Sequence, residues 1–130
     1  MVNDKSFVKK TKNNNLFILV DSVCYQHNKT KIYLKINNKN TYDTILLPIL
    51  GNSMYYSYLR AEYPNGRVYN SRYEINFKEF NKYKMAPKSC GIFIIENNVE
   101  KNWVKIIITI PYYSKKSKLN YNLKINKNYN

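Results

Sequence analysis

The strongest constraint on this chain is a period of two in its apolar residues. From Lys31 to Ile36, Ile32, Leu34 and Ile36 fall on one face and Lys31, Tyr33 and Lys35 on the other, which is the pattern of a strand with one buried side. The run Leu16–Val20 is apolar throughout and suits a strand buried on both faces or crossing the centre of a core. Ile106 to Ile110 is rich in β-branched residues, whose stiffness at χ1 favours strand over helix. Pro64-Asn65-Gly66 separates two such runs and predicts a hairpin, because Asn and Gly tolerate the positive φ that tight turns require. A second hairpin with a longer loop is predicted across residues 97–102. Pro48 interrupts an apolar run and marks an edge, a bulge or a strand end, since proline cannot donate to a ladder.

Seven short strands are expected, over residues 16–25, 31–36, 44–50, 55–63, 68–77, 91–96 and 103–110. The one helical candidate is Lys78–Lys84, barely two turns long and stopped by Met85-Ala86-Pro87. The expected fold is therefore all-β: an antiparallel β-sandwich or small barrel of about seven strands, with one short helical connection and extended basic termini.

A chain of 130 residues fits a single domain. Residues 1–15 read as a basic, Asn-rich flexible arm, 16–113 as the β domain and 114–130 as a basic tail with five lysines and no acid. Leu119, Tyr121, Leu123 and Ile125 alternate within that tail, so part of it can add as an edge strand. The net charge of +14 has to be weighed against composition. Lys, Asn, Tyr and Ile can all be encoded with A and T alone and dominate the chain, which points to an AT-rich genome and makes part of the charge a matter of codon usage. No 18-residue apolar run predicts a membrane span. No export signal is read, because Leu16–Val20 is too short for a signal-peptide core. The expected location is the cytoplasm, an organelle matrix or a virion.

Catalytic chemistry is poorly provided for. No phosphate-binding glycine pattern, nucleophile elbow or paired-carboxylate motif occurs, and a single histidine excludes a two-histidine nuclease. Cys24 and His27 form half of a zinc site, with Cys90 the one further ligand of that kind, one short of a tetrahedron. The expectation is a non-enzyme with no catalytic residue, no metal, no cofactor, no small-molecule substrate and two reduced cysteines. The enzymatic alternative that survives is a small metal-independent ribonuclease working through Lys, Arg and Tyr.

All three arginines, Arg60, Arg67 and Arg72, lie within thirteen residues, interleaved with tyrosines that include Tyr56 and Tyr58. AT-rich drift would favour lysine, so clustered arginine stands above the compositional background. Arginine binds phosphate bidentately and stacks, and tyrosine offers sequence-tolerant stacking to bases. On a continuous strand Tyr56, Tyr58 and Arg60 share one face. Lys9, Lys10 and Lys12 in the arm and Lys115, Lys116 and Lys118 in the tail are the expected phosphate contacts.

Together these residues predict a binding and structural component of a large nucleic-acid-containing assembly, most simply an RNA-binding protein of a ribosome-like ribonucleoprotein. Its partners would be nucleic acid, RNA favoured, and neighbouring proteins, without a membrane. The rival readings are a virion or phage structural β-sandwich, and a virus- or phage-encoded inhibitor whose Tyr-rich surface binds a host protein. No strand order or motif resembles a known family.

Overall fold

The computed structural model describes residues 2–4, 6–9, 16–73, 83–115 and 117–127. In chain order the strands are β1 (Val2–Asp4), β2 (Ser6–Lys9), β3 (Leu16–Gln26), β4 (Lys29–Asn38), β5 (Ile45–Leu47), β6 (Ile49–Leu50), β7 (Ser53–Met54), β8 (Tyr58–Glu62), β9 (Val68–Arg72), β10 (Tyr83–Met85), β11 (Ser89–Asn97), β12 (Lys105–Ser114) and β13 (Ser117–Lys127). Among the described residues the chain is all-β, with two curled antiparallel sheets forming a half-barrel. The first sheet runs β1-β3-β4-β11-β7-β6, and β7 joins β11 through a single parallel pair. The second runs β10-β5-β12-β13-β2, with β8 on the same side of β12 as β5 and β9 on the far side of β8.

Alternation decides what is buried. Ile32, Leu34 and Ile36 of β4 point inward as predicted and meet Ile106, Ile108 and Ile110 of β12 and Leu123 and Ile125 of β13 in one core. Burying each such side chain contributes roughly 1.5–3 kcal/mol. Trp103 closes one end of the core, fully buried, its indole N–H donating to Tyr25 Oη at 2.8 Å. The β8–β9 hairpin forms around Pro64-Asn65-Gly66, with Gly66 at φ 83°. Asn38 is a buried polar clamp: its Nδ2 donates to the carbonyls of Asp43 and Met85, and its Oδ1 accepts from Asn40.

Several expectations are corrected. Thirteen described strands replace seven, partly because the chain changes sheets where one long strand was read. Pro48 is such a corner, with β5 before it in the second sheet and β6 after it in the first. Residues 91–96 and 103–110 are not a hairpin. β11 and β12 belong to different sheets, and the connection buries Val99 and Trp103 between the layers. Leu16–Val20 is not buried on both sides, since Phe17 and Leu19 reach the outer face. Of the helical candidate, residues 78–82 lie outside the described residues, and Tyr83 and Lys84 are strand, paired with Leu47 and Leu46.

The basic tail is corrected most. Residues 117–127 form an eleven-residue strand lying between β12 and β2, because Tyr121, Leu123 and Ile125 are fully buried on its inner face. In the N-terminal arm, β1 pairs with β3 and β2 with β13.

Candidate nucleic-acid interface

In β8, Leu59 and Ala61 point into the core, so Tyr58, Arg60 and Glu62 face outward. The register carries that face across the sheet. Arg60 lies opposite Asn70 of β9 on one side and Ile107 of β12 on the other, and Ile107 lies opposite Lys124 of β13. The next row is Arg72, Tyr58, Thr109 and Asn122. The row on the other side runs through Glu62, Lys105 and Asn126. Lys118, opposite Tyr113, extends the same face along β13. At about 4.8 Å between strands, Asn70 to Lys124 spans roughly 14 Å across the sheet.

This face holds five cations, Arg60, Arg72, Lys105, Lys118 and Lys124, against one described carboxylate, Glu62, which is 3.7 Å from Arg60. Arg72 sits over the Tyr58 ring at 5.5 Å, and Tyr58 Oη donates to Asn70 Oδ1 at 2.6 Å, so the ring is held against the sheet with one edge fixed. Asn120, Asn122 and Asn126 are the remaining outward positions along β13 and supply amide donors and acceptors between the charges.

The structure thus brings together Tyr58, Arg60, Arg72 and Lys118 from the predicted set and places Tyr56, Arg67 and Lys115 elsewhere. Tyr56 does not share the face of Tyr58. A bend at Ser57 breaks the strand, resets the alternation and turns Tyr56 inward, where its hydroxyl meets Ser71 Oγ at 3.1 Å and its ring packs edge-on against Tyr73. Arg67 lies in the turn, tied to Glu100 at 2.5 Å and stacked 4.6 Å over Tyr63. Lys115 is in the β12–β13 turn, 3.4 Å from Asp43. Lys9 is in β2 opposite Lys124. Lys10, Lys12 and Lys116 lie outside the described residues. Lys105 and Lys124 were not singled out in the sequence. Lys124 was legible as an outward position alternating with Leu123 and Ile125, whereas its place beside Arg60 depends on a cross-strand register with no local signal.

Burial raises the Tyr56 phenol to about 12 and outweighs the lowering effect of the Ser71 hydrogen bond, with smaller upward contributions from Tyr73 and Tyr69. Burial also raises Tyr112 and Tyr121. The folded state therefore favours the neutral phenols. That stability is complete below the ordinary value of 10 and is lost as pH rises from about 10 through about 12. Tyrosinate absorbance followed with far-UV circular dichroism should show these phenols ionising only as the protein unfolds. A single titration of all tyrosines near pH 10 with the fold intact would contradict this.

Cys24, His27 and Cys90 do not converge. His27 and Asn28 are the two positive-φ residues of the tight β3–β4 turn. Cys24 is opposite Lys31, which is opposite Glu96 of β11, and Cys90 is six residues along β11 from Glu96, roughly 20 Å away. A disulfide cannot span that distance. Among the described residues no three His, Cys, Asp or Glu side chains are grouped to hold a metal ion.

No family model, curated protein or solved structure matches the chain.

Proposed function

We propose that this protein is a non-enzymatic component of a nucleic-acid-containing assembly and binds single-stranded nucleic acid, RNA favoured, on the outer face of its second sheet. The observation that carries the reading is the gathering of Arg60, Arg72, Lys105, Lys118 and Lys124 from four different strands onto the face that carries Tyr58. Cations at sheet spacing attract a phosphate backbone, and an outward ring held by its hydroxyl offers a stacking platform. The outer face of the first sheet is mixed, with Lys31, Tyr33 and Lys35 of β4 beside apolar side chains of β11. There Leu50, Ile92 and Ile94 lie outward, and Leu50 and Ile92 are about half exposed. This supports packing against neighbouring proteins of the assembly.

The test is fluorescence anisotropy of a labelled decauridylate at low salt, where electrostatic contacts are least screened. The protein is expected to bind, with log affinity falling linearly against log salt. Tyr58→Ala is expected to weaken binding by about 1–3 kcal/mol with little change in slope, because stacking releases few counterions. No binding at low salt to this RNA or to the matching DNA refutes the reading.

A further inference from the structure

Strand β9 has two functional sides. Its outward residues Asn70 and Arg72 belong to the basic face, while the alternating Tyr69 and Ser71 line a cavity of about 320 Å³ reached from the same edge. Tyr56 and Tyr73 add two further rings to the wall, and Tyr73 is 42% exposed. The first sheet contributes Asn97 and an ion pair between Lys29 and Glu96 at 3.3 Å. That pair leaves the lining without net charge. The wall presents hydroxyls, amides and the partly exposed ring of Tyr73, which suits a neutral polar ring better than a phosphate.

Asn97 marks the polar end. Its Oδ1 accepts from Val99 N at 2.9 Å, which fixes the amide orientation, and Nδ2 is buried without a hydrogen-bond partner. Asn97 is only 6% exposed. A buried amide donor without an acceptor is costly, so a ligand carbonyl is the group this wall lacks. The volume lies at the lower end of small-ligand sites and fits one base.

We propose that this cavity receives one base of a single strand held on the basic face, the base turning over the β9 edge so that a ring carbonyl accepts from Asn97 Nδ2 beside the exposed ring of Tyr73. This rests on the nucleic-acid reading above and adds to it a pocket that grips a base instead of a phosphate. Pyrimidines and guanine carry the required carbonyl, whereas adenine does not.

The experiment compares decauridylate with an abasic ribose-phosphate decamer of the same length and charge, using the full chain. Asn97→Asp keeps the acceptor for Val99 N and removes the donor. Tyr73→Ala removes the ring with the exposed edge and tests the site without touching the amide. Each variant is expected to bind decauridylate about tenfold more weakly while its affinity for the abasic decamer and its salt slope stay unchanged. Equal losses on both decamers, or none on either, overturn the proposal while leaving the basic face standing. If the unaltered protein binds neither decamer, the underlying reading fails instead. Free uridine added at millimolar concentration separates the two sources of a base. If it shifts the Asn97 side-chain amide resonance while decauridylate binding ignores both variants, the cavity serves free nucleosides and the strand-borne base is refuted.

Discussion

A chain ending at Ser114 is expected not to fold. The deleted part would include β13, which pairs with β12 from Ser117 to Asn126 and places Tyr121, Leu123 and Ile125 in the core with no exposed surface. Three fully buried side chains at roughly 1.5–3 kcal/mol each already approach the whole stability of a domain this size, about 5–15 kcal/mol. The truncation also bares one side of β12 and leaves Ile106, Ile108 and Ile110 beside an open edge. Tyr121 reaches beyond its own sheet as well: Ile18 N of β3 donates to Tyr121 Oη at 3.2 Å, a link from the second sheet to the first. Tyr121→Ala is therefore expected to cost about 3–5 kcal/mol through the cavity it leaves. Tyr121→Phe should cost about 1–3 kcal/mol, because it orphans the Ile18 N–H and removes the hydroxyl's 3.5 Å hydrogen bond to the Ile18 carbonyl. Urea unfolding followed by circular dichroism measures all three chains. A chain of residues 1–114 with a cooperative transition at the full-length midpoint would show that β13 is dispensable.

How much of this was legible in the sequence depended on whether the deciding interaction was local. The inward face of β4 and the β8–β9 hairpin were readable, because alternation and turn chemistry act over a few residues. The tail was misread for a physical reason. Its lysines and asparagines are outward residues of a strand, and the same alternation that made it look solvated also supplied Tyr121, Leu123 and Ile125 for burial. Whether such a segment is a free arm or an inner strand is settled by its partner β12, whose pairing is tertiary. Tyr56 shows the limit of counting parity: one bend at Ser57 sends a predicted surface ring into the interior. The arginine cluster was visible as composition, but the structure divides it by role, with Arg67 held by Glu100 and Arg60 and Arg72 on the open face.

That division gives the largest effect expected on binding. Replacing Arg60, Arg72, Lys118 and Lys124 together by Ala removes four cations from one face and none from the core. If each contacts a phosphate, the slope of log affinity against log salt should fall by nearly three units, at about 0.7 per contact on a single strand. Near 0.1 M salt this corresponds to a loss of roughly two to three orders of magnitude in affinity. Replacing either pair alone should give about half the change in slope, because hairpin and tail cations act on one surface. Arg67→Ala with Lys115→Ala supplies the control. Both residues are cations close in sequence to the others, but they are engaged with Glu100 and Asp43 away from that face. Their loss should leave slope and affinity nearly unchanged, and stability should move by no more than about 1 kcal/mol per exposed ion pair. Equal weakening in the control and in the Arg60 and Arg72 pair would mean that net charge alone attracts nucleic acid and that the sheet face has no special part in it.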